Sequence, residues 1–305
     1  MTHFESLRAK LEEITHLRTA ASLLIWDQEV MMPKGSTEAR ACQIAVLAGI
    51  LHEKSTDPKI EELLNPLEES LGGWSDIEQC NIRETRRNFD RHTKLPKNLV
   101  EDIAGTSSRG HQIWAQARAN NKFEDFAPTL SRLVELKKEY ARYIDPDSPA
   151  YDVNIDDFER GFTMKKLDPI FDRLKEELIP LIRKIKESPN QPDTGFLQGQ
   201  FPIERQEALG RRISQDMGFD FDCGRMDVSV HPFCGGGDST DVRITTRYRE
   251  DNFVESLYAV IHETGHGLYE QGRMKEYRNL PVSEALSMGV HESQSLFWER
   301  MVDSC

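Results

Sequence analysis

The sequence predicts a mainly α-helical fold with one small antiparallel β-sheet. Two observations carry this. Apolar residues recur at spacings of three and four through most of the chain, the signature of helices with one buried stripe. Strict alternation with β-branched residues is confined to two short stretches, near Met226 and near Asp241.

The elements follow in order. Phe4, Leu7, Leu11, Ile14, Leu17 and Ala21 form an apolar stripe that predicts a helix over Phe4–Leu24. Trp26-Asp27-Gln28 and Met31-Met32-Pro33 are expected to break it. Lys34-Gly35-Ser36 reads as a turn, with Ser36 as N-cap of a helix over Arg40–Ile50. Long polar periodic runs predict further helices at Asp76–Phe89, Lys97–Ala119, Phe126–Tyr143 and Lys165–Ser188, with Pro96, Pro128 and Pro169 near their starts. Charged runs such as Arg83-Glu84-Thr85-Arg86-Arg87 read as solvated faces. Turn-rich breaks fall at Asp145–Ala150 and Ser188–Gly195, and the chain divides into a helical body, 1–190, and a distinct last part, 191–305.

In that last part Met226–Phe233 and Asp241–Tyr248 alternate and predict two strands, joined by Cys234-Gly-Gly-Gly-Asp-Ser-Thr as a flexible hairpin loop. On the second strand Asp241, Arg243, Thr245 and Arg247 share one face, as the lining of a cleft or a charge-protected edge.

Composition narrows the function. The chain has 305 residues, enough for a sizeable core, and 39 basic against 52 acidic residues give a net charge of −13. That sign opposes a large nucleic-acid surface. No stretch approaches the roughly 20 continuous apolar residues of a membrane span, and Met1-Thr-His-Phe-Glu-Ser lacks a signal-peptide pattern. Cys42, Cys80, Cys223, Cys234 and Cys305 are scattered and odd in number, which fits reduced thiols in a cytoplasm.

Chemistry concentrates in Val254–Gln271. Val254, Leu257, Tyr258 and Ile261 form an apolar helical face that leads into His262-Glu263-Thr-Gly-His266. Imidazoles four positions apart project from one side of a helix and can bind one Zn²⁺ at about 2.0–2.1 Å each. Glu263 follows the first of them and suits a general base acting on a metal-bound water. A third protein ligand is needed. The metzincin position, six after His266, is Gly272, and the thermolysin-like position is Leu286, so both spacings fail. Glu270, Glu284, His291, Glu292 and Glu299 remain, most of them on a following helix over Ser283–Met301, and spacing alone does not choose among them.

Four motifs in order, His231-Pro232-Phe233, Asp241-Val-Arg243-Ile-Thr245, His262-Glu263-Thr-Gly-His266 and His291-Glu292-Ser293-Gln294, resemble the carboxypeptidase Taq family of metallocarboxypeptidases. Trp26-Asp27 followed by Met32-Pro33 is similar to its N-terminal region. The resemblance implies a long-helix metallopeptidase fold with a small sheet beside a deep active-site cleft, one divalent metal, Zn²⁺ or Co²⁺, and a homodimer. It implies His262, His266 and Glu292 as metal ligands, Glu263 as the catalytic base, and His231, Asp241, Arg243 and Thr245 beside the substrate groove. His291 is a further candidate there. The implied reaction is release of C-terminal amino acids from peptides with broad specificity. A free carboxylate calls for an arginine fork, and Arg243 and Arg247 are the candidates, each with a structural ion pair as its plainer role.

The family's later blocks, an Ile-Arg motif and a Gly…Gln-Asp…His-Trp motif, are absent, and Leu296, Phe297, Trp298 and Met301 have no following element to pack against. The expectation is therefore an N-terminal portion of such an enzyme, weakly active or inactive by itself. The alternatives are a metal-binding fragment that acts as an interaction module, and another HExxH oligopeptidase.

Overall fold

The computed structural model describes residues 2–302. Helices dominate: α1 (His3–Val30), α2 (Thr37–Ser55), α3 (Pro58–Glu69), α4 (Asp76–Thr93), α5 (Lys97–Ala119), α6 (Phe123–Ile144), α7 (Ala150–Phe158), α8 (Met164–Lys186) and α9 (Ile203–Met217) precede the sheet. Strands β1 (Gly224–Val228), β2 (Cys234–Asp238) and β3 (Asp241–Thr246) follow, then α10 (Phe253–Gln271) and α11 (Met288–Leu296), which runs into a π-helical turn, Phe297–Val302.

Helix α1 starts at a capping box in which the Thr2 hydroxyl accepts from the Glu5 amide and the Glu5 carboxylate accepts from the Thr2 amide. It passes through Trp26–Gln28 without a break. Polarity alone does not end a helix, and Trp26 and Gln28 are buried on its inner face. Pro33 lies just beyond the actual end. Ser36 sits at the start of α2 but makes no side-chain capping bond. Helices α3, α7 and α9 were not among the expected ones. α3 and α7 are short, at 12 and 9 residues, and their apolar positions only make sense against distant partners. Pro128 and Pro169 fall inside α6 and α8, a turn or so from the start, rather than at the first position.

Three cores form. Leu7, Ile60, Leu63, Leu64, Leu67, Ile82 and Phe89 join α1, α3 and α4. Leu95, Leu99, Leu136, Ala141, Ile144 and Val153 join α5, α6 and α7. Phe219, Met226, Val242, Ile244 and Val260 join the sheet to α10, and this third core supports the site. Burying such side chains stabilises by about 1.5–3 kcal/mol each, so α10 is firmly seated. The apolar face of α8, including Phe171, Leu174, Leu178 and Ile182, is exposed, as are Phe297 and Met301.

The sheet differs from the expected antiparallel hairpin. Its order is β1-β3-β2; β1 pairs with β3 in parallel, and β2 pairs with β3 antiparallel. The glycine run expected to be a loop is β2 itself, and residues 229–233 form the crossover between β1 and β2. Composition misleads here because glycine serves close approach. A Cβ on Gly236, at φ +123°, would lie 2.1 Å from the Asp241 carbonyl oxygen, and one on Gly237 would lie 3.0 Å from Thr19 Cβ of α1. The hairpin turn is Asp238–Asp241, where Asp238 Oδ1 accepts from the Thr240 amide at 2.9 Å and hydroxyl at 2.7 Å.

Candidate metal centre

The HExxH helix is held on three sides. Asn252 caps α10 by accepting from the Glu255 amide at 3.3 Å. Val260 packs into the third core and meets α9 at Gly210, where an added Cβ would lie 3.2 Å from it. Thr264, fully buried, pairs its hydroxyl with Ser214 of α9 at 2.8 Å. Gly265 lies against the backbone of α11, with an added Cβ only 2.6 Å from Ser295 Cα. Val260, Thr264, Gly265 and Gly267 therefore bind the helix to its neighbours, and His262 and His266 are left toward α11.

Helix α11 and the segment before it are tied to α4 and to the C-terminal end of α7. The Ser287 side chain caps it by accepting from the Val290 amide at 3.1 Å. Glu159, just past α7, accepts from the Ser287 hydroxyl at 2.7 Å and the Gly289 amide at 3.0 Å. The Val282 amide donates to buried Asn81 of α4 at 3.1 Å.

His262, His266 and Glu292 each offer a ligand atom, all within 4.8 Å of one another. His266 Nε2 is 3.2 Å from Glu292 Oε2, and His262 Nε2 is 3.6 Å from Glu292 Oε1. Two donors each about 2.0–2.1 Å from a tetrahedral zinc lie roughly 3.3–3.4 Å apart, so this spacing fits a metal between them. The chemistry fits too. Burial, then His291 and His262, pushes the His266 imidazole down to about 4, so a neutral ring faces a carboxylate. A cation between them removes that conflict. His266 Nδ1 and Glu263 Oε2 are buried and, among the described residues, have no hydrogen-bond partner.

Glu263 is 6% exposed. Burial, then the Glu292 carboxylate, pushes its carboxyl up to about 8 in the metal-free chain. A cation held by His262, His266 and Glu292 would act in the opposite direction and favour the ionised carboxylate that a general base needs.

The other four ligand candidates have partners other than the donor atoms of the triad. Glu270 accepts from Arg273 at 2.6 Å and meets His291 Nε2 at 3.0 Å. Burial raises its carboxyl, but those two hydrogen bonds win and hold it below the usual carboxylate range. Glu284 pairs with Arg18. His291 stacks on His266 with ring centroids 4.5 Å apart at 16°. Glu299 meets His262 on the ring nitrogen away from Glu292, at 2.6 Å. A cavity of about 300 Å³ between α1 and β2 is lined by Glu270, Arg273, His291 and the β2 glycines; a larger one, about 620 Å³, lies among α1, α2, α4 and α5 and touches none of the three ligand candidates.

The expected groove residues each have partners within the chain or face outward. Thr245 is fully buried, bonded to the Ser229 hydroxyl at 2.7 Å and accepting from the Phe233 amide at 2.9 Å, so it pins the crossover that carries His231. His231 is exposed. Arg243 forks onto Asp241 at 2.7 and 2.9 Å and lies 4.4 Å over the ring of Trp26. Arg225 lies 4.9 Å from that ring, so two guanidinium groups flank one indole. Arg247 pairs with Glu255 and donates to the Val230 carbonyl at 3.1 Å. Both arginines already have partners within the chain. Sequence reasoning missed the Trp26 stack and the Glu159 tether; the only trace of the first was the presence of Trp26 in a family-like segment.

Comparison with known proteins agrees with this architecture. A family model described as carboxypeptidase Taq (M32) metallopeptidase matches residues 6–304. Thermostable carboxypeptidase 1 of Thermus thermophilus is 37% identical, covering 98% of this chain and 61% of its own length. Carboxypeptidase 1 of Bacillus subtilis is 35% identical, covering 96% and 58%. Among solved structures, that of BsuCP superposes with a TM-score of 0.97 at 34% identity, covering 100% of this chain and 61% of the other. Trypanosoma cruzi metallocarboxypeptidase 1 gives a TM-score of 0.84 at 36% identity, covering 99% and 61%. The chain thus spans about 60% of the length of the relatives it matches.

Proposed function

Because the chain belongs to the carboxypeptidase Taq (M32) metallopeptidase family, we propose that it acts as a metal-dependent carboxypeptidase that releases C-terminal amino acids from peptides with broad specificity. The observation that carries the proposal is the convergence of His262, His266 and Glu292 within 4.8 Å, beside the buried carboxyl of Glu263. The family implies a divalent metal. The two-nitrogen, one-carboxylate donor set supports zinc, with cobalt as the alternative. A cytoplasmic homodimer belongs to the same reading, supported by family membership and by the free thiols of Cys42, Cys80, Cys223 and Cys234.

In this reading His262 Nε2, His266 Nε2 and a Glu292 oxygen hold the cation, which would supply Lewis acidity toward a carbonyl and a water. Glu263 takes the proton from the attacking water on its free Oε2 and returns it to the departing amine. Its burial keeps bulk water from competing for that proton. The same reading keeps His231, Asp241, Arg243, Thr245 and Arg247 as substrate-side candidates, and assigns the catalytic part to residues 191–305 and one wall of the cleft to residues 1–190.

The test uses two peptides, one blocked at the N-terminus and one at the C-terminus, with metal content measured in parallel. Metal-dependent cleavage of the N-blocked peptide alone supports the proposal. Cleavage of the C-blocked peptide points to another HExxH oligopeptidase, and metal binding without turnover to a binding fragment. Glu263→Gln is expected to keep the metal and lower turnover by at least about 100-fold; wild-type rates in that variant would rule out Glu263 as the base.

A further inference from the structure

Glu299 stands seven residues after Glu292, on the π-helical turn Phe297–Val302 that prolongs α11. A π turn inserts one residue into the helical repeat and re-aims the side chains beyond it, a distortion often found at functional sites. Here Glu299 Oε2 lies 2.6 Å from His262 Nδ1. The other oxygen, Oε1, is 3.9 Å from Arg300 Nε. The carboxylate is 24% exposed, so the contact is partly shielded from water.

Resting on the reading of His262 as a metal ligand, we propose that Glu299 is a positioning residue that sets the tautomer and orientation of His262. A neutral imidazole carries one N–H, and a carboxylate can only accept. The bond therefore places a proton on Nδ1 and, in the neutral ring that a metal ligand must be, leaves the Nε2 lone pair facing the Glu292 oxygen 3.6 Å away. It also stops the ring from rotating. Carboxylate partners of this kind orient ligand histidines and raise their basicity. His266 is held differently: its Nδ1 is buried without a partner among the described residues, and its ring is stacked on His291, itself bonded to Glu270. Loss of Glu299 therefore falls on one ligand ring and leaves the other in place.

The test compares the parent chain with Glu299→Gln and Glu299→Ala, each checked for helical content by circular dichroism. Nitrogen-15 correlation spectra of the metal-free chain at about pH 8 report the His262 tautomer, and zinc affinity is read by competition with a chromophoric chelator. The parent and Glu299→Gln, whose amide oxygen still accepts, should hold His262 as the Nδ1–H form. Glu299→Ala should shift it toward Nε2–H and weaken zinc binding by about 10–100-fold, with the glutamine variant losing less than about tenfold. An unchanged tautomer or an unchanged affinity in Glu299→Ala overturns the proposal. If the parent takes up no zinc, the ligand reading fails, and the metal-free tautomer still decides whether Glu299 governs His262.

Discussion

At the scale of single residues, His92 on α4 shows how burial sets a pH response away from the metal centre. Burial pushes its imidazole down to about 4; His52, Arg18 and Arg91 act in the same direction, and Asp157 opposes them. In the unfolded chain a histidine titrates near 6.5. As pH falls from 6.5 toward 4, the unfolded chain takes up a proton that the folded chain refuses. Stability is therefore full above 6.5 and declines below it, by about 3 kcal/mol in total for this group. Urea unfolding at about pH 7.5 and pH 4.5 should show His92→Gln losing about 2–3 kcal/mol less than the parent over that interval; equal losses would contradict it. The same scale shows what a sequence reveals. The juxtaposition of His262 and His266 was legible because a spacing of four on a helix has one geometric meaning. Glu292 was not separable by spacing from Glu270, Glu284, His291 and Glu299, because the loop from Gly272 to Ser287 has no fixed period. Family resemblance selected it, and the structure places it against both histidines. For Arg243 the sequence offered two roles, a carboxylate fork and a structural ion pair, and the contacts with Asp241 and Trp26 are those of the second.

At the scale of elements, the geometry of the site depends on how closely α10 and α11 approach. Gly265 permits that approach, since a Cβ there would lie 2.6 Å from Ser295 Cα and 2.8 Å from the Gln294 carbonyl oxygen. Gly265→Ala must push α11 away and carry Glu292 with it. Expected results are a destabilisation of about 1–3 kcal/mol from overpacking and a loss of zinc affinity of about tenfold or more, read by chelator competition. Gly267→Ala is the control: its Cβ would meet Phe219 at 2.7 Å, on the core side, so it should cost stability with a much smaller effect on affinity. Equal affinity losses in the two variants would mean that the α10–α11 distance is not what matters. Long helices were legible because 3.6-residue periodicity repeats over many turns, as in Lys97–Ala119, which forms as expected. The sheet was only half legible. Alternation marked β3, but β2 is a glycine strand whose composition reflects the passage of α1 beside it. A contact with Thr19, more than 200 positions away, leaves no local pattern.

At the scale of the whole molecule, the three ligand candidates come from two helices, and the second of these is anchored, with the segment before it, to α4 and to the C-terminal end of α7. The Ser287–Glu159 bond joins positions 128 apart, and the Val282–Asn81 bond positions 201 apart. An unfolded chain holds no such preformed triad, so zinc should bind the folded state selectively and stabilise it as a whole. At free zinc about 100 times the dissociation constant the gain is roughly 2.7 kcal/mol, a rise in thermal midpoint of about 5–10 °C if each kcal/mol shifts a domain of this size by 2–4 °C. Glu292→Ala should remove nearly all of that rise. Glu159→Ala touches no ligand, yet it should reduce the rise, because α11 loses the tether that sets where Glu292 stands. Calorimetry with and without zinc on the three proteins reads this directly. A full zinc response in Glu159→Ala would mean that α10 and α11 assemble the triad between themselves, with the contact at the end of α7 contributing stability but not the placement of Glu292.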